Sequence, residues 1–163
     1  MAMNKQERKP ASFPLLVRPY MRPPPREMPL NVLLVEDDDS DMMLTEMALE
    51  ASNIYYSLRR LDDGTQVLPY LHHEPEYANR ARPDVIFLDL TLPGKDGAQI
   101  LSELKAEADL YGKMPIVILT GDRNCAFLAE SDELSIPAYI TKPCSTEKIL
   151  NVLLAIRQAK RGI

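Results

Sequence analysis

Cysteine is scarce in this chain: Cys125 and Cys144 are the two it has. They are too few and too far apart for a disulfide framework or a zinc site, which points to a reducing compartment and reduced thiols. Long apolar runs are also missing. The stretch Phe13 to Val17 is shorter than a signal-peptide core, and no segment has the length to span a bilayer. A cytoplasmic protein without a membrane anchor is expected. Positive charge is outweighed too, with 19 Lys and Arg against 24 Asp and Glu for a formal net charge of −5. That balance repels phosphate backbones and anionic lipid, so neither nucleic acid nor membrane is expected as a partner.

What is present fits one globular domain. The 163 residues are 45% hydrophobic and 26% charged, enough to bury a stable core. The charge is uneven. Residues 1–30 hold six Lys or Arg against Glu7 and Glu27, a net of +4 that leaves −9 for the rest. The same stretch carries seven of the fourteen prolines and no apolar period. Residues 1–29 therefore read as a flexible, basic, Pro-rich tail, and 30–163 as the folded domain. The tail fits a plain leader or a docking segment, and Met28, just before the first strand, is an alternative start.

Strands and helices alternate along the domain. Leu30 to Val35 is a short, nearly continuous apolar run of the kind covered on both faces of a sheet. Asp39 or Ser40 can cap a first helix, in which Leu44, Met47, Ala48 and Ala51 fall at helical spacing out to about Ser52. A strand near Tyr55 to Leu61, a helix from about Thr65 to His73 and an apolar strand Val85 to Leu88 follow. Ile100, Leu101 and Leu104 make a third helix, Ile116 to Leu119 a fourth strand and Ala126 to Leu134 a weaker fourth helix. Ala138 to Ile140 is a short fifth strand. Ser145 caps a last helix with the apolar stripe Ile149, Val152, Leu153 and Ile156. Such alternation requires right-handed crossovers and predicts an α/β fold, a doubly wound five-stranded parallel sheet with five helices. Sheets of this kind bind ligands beyond the carboxyl ends of their strands.

The acids sit at those ends. Glu36 and Asp37 end the first strand, Asp89 the third, Thr120 the fourth, and Lys142 follows the fifth. Crowded carboxylates repel one another, and a hard divalent cation that prefers oxygen and keeps some water neutralises them; Mg2+ fits best. A carboxylate beside such an ion can attack phosphorus to give an aspartyl phosphate, while a lysine and a hydroxyl hold the phosphoryl oxygens. Asp89, Lys142 and Thr120 supply those groups. Each residue has a plainer reading as well: a solvated cap for the acids, a turn residue for Thr120, a surface charge for Lys142. Their joint placement at strand ends, in order, decides for the site. His72 and His73 are adjacent, point in different directions on a helix and read as solvated.

The segments V-E-D-D, L-D-L-T-L-P-G-K-D-G, I-L-T-G-D and Y-I-T-K-P resemble the four signatures of bacterial two-component receiver domains, over about residues 30–160. The resemblance implies a flavodoxin-like sheet of order 2-1-3-4-5 and a single-domain response regulator that accepts a phosphoryl group from a sensor histidine kinase. It implies Asp89 as phospho-acceptor, Asp37 and Asp89 as side-chain Mg2+ ligands, Glu36 as holder of metal-bound water, and the Thr91 carbonyl as a further ligand. Lys142 would pair with the phosphoryl group, and Lys142-Pro143 would be a cis bond. Thr120 and Tyr139 would move together as the switch, although Tyr139 reads equally well as a half-buried strand aromatic. Thr91 and Asp122 sit where the family tunes hydrolysis. The long 72–82 connection, the V-E-D start and Asp41 resemble the subgroup serving phytochrome-type kinases. With little chain after the last helix, output is expected through binding to a downstream protein or through a homodimer across the fourth helix, fifth strand and fifth helix. On this reading the protein is an enzyme only toward its own phosphorylation and dephosphorylation. A phosphate sink without output is one rival. A Mg2+-dependent phosphohydrolase is another, disfavoured because Asp89 is followed by Leu90 and Thr91 and no second acid.

Overall fold

The computed structural model describes residues 28–121 and 133–162. Five parallel strands, β1 (Leu30–Val35), β2 (Tyr56–Leu61), β3 (Val85–Asp89), β4 (Ile116–Thr120) and β5 (Ala138–Thr141), form one sheet in the order β2-β1-β3-β4-β5. Strand parity divides the core. Leu33, Val35, Ile86, Leu88, Ile116 and Ile118 pack on one face, with Val67 and Leu68 of α2 (Val67–Leu71) and Ile100 and Leu104 of α3 (Gly97–Ala106). Val32, Leu34, Val85, Phe87, Val117 and Leu119 pack on the other, with Leu49 of α1 (Asp39–Ala51) and Ile149 and Leu153 of α5 (Thr146–Arg161). Successive side chains of a strand point to opposite faces, so runs without polar interruption are what a doubly covered sheet requires.

Several boundaries differ from the sequence reading. The cap of α1 is Asp38, not Asp39 or Ser40: it is extended, and its carboxylate accepts from the N–H groups of Ser40 and Asp41. A cap of this kind stabilises by about 1 kcal/mol. The second helix is shorter than Thr65 to His73, because Gly64–Gln66 forms a 3-10 turn and His73 takes a left-handed φ of 54° that ends the helix. A one-turn helix, α4 (Ala108–Tyr111), was not foreseen. The fourth helix expected over 126–134 falls largely outside the described residues, as do Asp122, Cys125 and residues 1–27 of the tail; Glu133 and Leu134, which are described, lie in a turn and a bend. Ser145 caps α5 as expected, accepting from the Lys148 N–H.

The long connection after α2 is anchored. Tyr77 is buried against Tyr70, with ring centroids 5.3 Å apart, and the Tyr70 hydroxyl donates to the Ala81 carbonyl. His72 Nε2 lies 2.8 Å from Glu107, and Arg82 donates to the Leu110 carbonyl. The segment runs alongside the edge strand β2: Tyr77 borders Asp39 and Asp62 past the carboxyl ends of β1 and β2, and Asn79 to Ala81 border Asn31 and Ser57 near their amino ends. No described helix is long and apolar enough to cross a membrane.

Candidate functional site

β1 and β3 are hydrogen-bonded neighbours with Val35 opposite Leu88, so the residues just past them, Glu36, Asp37 and Asp89, emerge side by side. Oxygen atoms from all three carboxylates lie within 4.8 Å of one another. Glu36 is fully buried, Asp89 nearly so, and Asp37 exposed. An all-oxygen set with one water-facing member suits a hard divalent cation that keeps part of its hydration shell. The Thr91 N–H donates to Asp89 Oδ1 at 2.9 Å, which orients the carboxylate. Leu119 pairs with Asp89, so the buried Thr120 stands one residue beyond it on β4.

Lys142 supplies the balancing charge. The bond Lys142-Pro143 is cis, and the Lys142 N–H donates to the Thr120 carbonyl at 2.8 Å, fixing the residue to β4. Its ammonium lies 2.6 Å from Asp89 Oδ2, 2.5 Å from Glu36 Oε2 and 2.9 Å from Asp41 Oδ2. Burial alone would lower its pKa, but the hydrogen bonds to Asp89, Glu36 and Asp41 outweigh burial and raise it. Lys142 is therefore a fixed cation. Asp41 was not read as part of the site: its signal, an acid in the first turn of the helix that follows β1, is shared by ordinary helix-dipole acids.

The loop between β3 and α3 needs its glycines. Gly94 has φ +70°, a left-handed conformation, and a Cβ on Gly97 would lie 2.6 Å from Leu90 Cα and 2.7 Å from the Asp89 carbonyl oxygen. The α3 helix thus starts against the backbone that carries Asp89. Asp96 and Gln99 close its first turn as a capping box. Tyr139 is half-buried on β5, facing the core side of β4.

Burial pushes the Glu36 carboxyl up to about 7; the hydrogen bond from Lys142 opposes this, Asp89's charge adds to it and the Asp38 N–H opposes it. The folded protein then holds a proton that the unfolded chain has released above its ordinary value of 4.5. Stability from this group is full below 4.5 and is lost as pH rises to about 7. In chelator, thermal melts of wild type against Glu36→Gln are expected to diverge across that window, wild type losing on the order of 2 to 3 kcal/mol relative to the variant. A difference that stays flat or grows in the wild type's favour would refute the assignment.

Residues 32–154 match the family model described as the response regulator receiver domain. Response regulator Rcp1 of Synechocystis sp. is 37% identical over 128 residues, covering 78% of this chain and 86% of its own; its structure in a Mn(2+)-bound form superposes with TM-score 0.62 over 78% of this chain and 91% of that one. The bacteriophytochrome response regulator RtBRR is 34% identical with TM-score 0.69, covering 79% of this chain and 78% of that one. The phosphorylated cyanobacterial phytochrome response regulator RcpA is 34% identical with TM-score 0.64, covering 80% and 93%. Matching over most of its length in sequence and fold, the chain belongs to the response regulator receiver family.

Proposed function

We propose that Asp89 is the phospho-acceptor of a Mg2+-dependent switch driven by a phytochrome-type sensor histidine kinase. The observation that carries this reading is the joint grip of Lys142 on Asp89 and Glu36 beside a three-carboxylate cluster. An Asp89 oxygen attacks phosphorus, a P–O bond forms, and the P–N bond of the donor phosphohistidine breaks with its electron pair leaving on the imidazole, which takes up a proton. Lys142 stays protonated and donates to the phosphoryl oxygens, and Thr120 closes on them from β4. Mg2+, when held by Asp37, Asp89, the Thr91 carbonyl and Glu36 through water, would draw charge from the same oxygens.

The narrower pathway assignment leans on the phytochrome response regulators among the relatives and on the long 72–82 connection. Exposed Met43, Leu44 and Met47 on α1, next to the rim, suit the docking of a partner protein. Output is read as a shift of Thr120 and Tyr139 toward the β5–α5 surface, where Tyr139, Ile140 and Val152 border a groove suited to a downstream protein or a second copy. We place the protein in the cytoplasm on its cysteine usage, and take residues 30–163 as the receiver domain.

The test is intact mass after incubation with acetyl phosphate and Mg2+. A metal-dependent gain of one phosphoryl group, lost in chelator, is expected. No gain would overturn the reading, and rapid turnover of generic phosphate esters would replace it with a hydrolase. The lifetime of the product separates a relay from a phosphate sink.

A further inference from the structure

The Lys142 ammonium lies within 2.9 Å of three carboxylates, hydrogen-bonded to Asp89 and ion-paired with Glu36 and Asp41. Two of those partners, Glu36 and Asp89, belong to the carboxylate group able to hold a metal ion, and Asp41 does not. A cation bound there would draw Glu36 and Asp89 toward itself, and phosphorylation would cancel the charge of Asp89. Asp41 is the partner that neither event removes. It lies in the first turn of α1, held there by its own N–H bond to the Asp38 cap, with its side chain about two-thirds buried.

We propose that Asp41 is a positioning residue that restrains Lys142, a competitor that the incoming phosphoryl group must displace before the ammonium can serve it. This rests on Asp89 being the acceptor and Lys142 its cation. The ammonium cannot give its full charge to the phosphoryl oxygens while it stays paired with Asp41, which takes no part in the transfer. Asp41 also sets a negative charge beside the path of an anionic donor. Both effects slow phosphorylation, and both vanish when the side chain is made neutral.

The experiment measures the rate of phosphoryl uptake by the full chain from subsaturating acetyl phosphate at saturating Mg2+, by intact mass. Asp41→Asn and Asp41→Ser are expected to speed uptake by about fivefold, with Asp41→Glu returning it to within about twofold of wild type and all three keeping half-saturation by Mg2+ within about twofold. That split separates restraint of Lys142 from metal binding, and a merely structural role would move neither in this pattern. Equal or slower uptake in the neutral variants overturns the proposal, as does a faster uptake explained by a shift in Mg2+ half-saturation. Thermal melts check folding, and Asp41→Ser decides if Asp41→Asn does not fold. Absence of uptake by wild type itself overturns the acceptor reading and this one with it, a result distinct from any change confined to the variants.

Discussion

Asp89→Asn is expected to lose phosphoryl uptake by at least about a hundredfold, to background, while remaining folded. The amide is isosteric with the carboxylate and keeps an oxygen to accept the Thr91 N–H, but it is no nucleophile toward phosphorus. It also removes one of three crowded negative charges. Asp89's charge is one cause of the raised Glu36 pKa, so that pKa should fall toward the ordinary carboxylate value, and the metal-free variant should melt no lower than wild type at neutral pH. Divalent binding should weaken by about tenfold or more, since a ligand is lost. Mass spectrometry, calorimetry and thermal melts read these three effects separately. Uptake at the wild-type rate would move the nucleophile elsewhere; loss of uptake together with loss of fold would leave Asp89 a structural acid.

Lys142→Met is expected to change two quantities in opposite directions. The ammonium lies between the buried Glu36 and Asp89 and is itself largely buried. Removing it strands two buried carboxylates, and such losses cost about 3 to 5 kcal/mol when one partner of a buried ion pair is deleted. The metal-free variant should therefore melt well below wild type. A divalent cation should then rescue much of the stability and bind more tightly than to wild type, because it no longer competes with a fixed positive charge. Phosphoryl transfer should slow by about a hundredfold even at saturating metal, the usual effect of deleting one preorganised donor to transition-state charge. Melts with chelator and with Mg2+, together with uptake rates, test both signs. An unchanged rate would dismiss Lys142 as a participant, and unchanged metal affinity would dismiss the electrostatic competition.

How much of this was readable in the chain depended on whether a property is local or spatial. Leu30 to Val35, broken by Asn31 alone, and Val85 to Leu88 announced buried parallel strands because a doubly covered sheet leaves little room for polar positions in the run. Glu36, Asp37, Asp89, Thr120 and Lys142 were legible because each lies at or just beyond the carboxyl end of a strand, and parallel strands bring those ends to one rim. Asp41 was not, since nothing in the sequence aims a first-turn acid at a lysine about a hundred residues further along the chain. The cap of α1 was misplaced because Asp38, Asp39 and Ser40 are all good caps, and the choice is made by which residue leaves the strand extended. The second helix was drawn too long because positive φ at His73 answers to the packing of the segment beyond it.

That segment has a practical use. Buried Tyr77 and the bonds at His72 and Arg82 hold it alongside β2, while residues 78–80 between the anchors are exposed, with Asn79 and Arg80 beside Asn31 and Ser57 near the amino ends of β1 and β2. A fluorescent reporter spliced between Ala78 and Asn79, or an attachment point to a sensor chip placed there, would leave the acids, α1 and the β5–α5 face open to solution. The molecule carries its own handle, on the side where a handle does least harm.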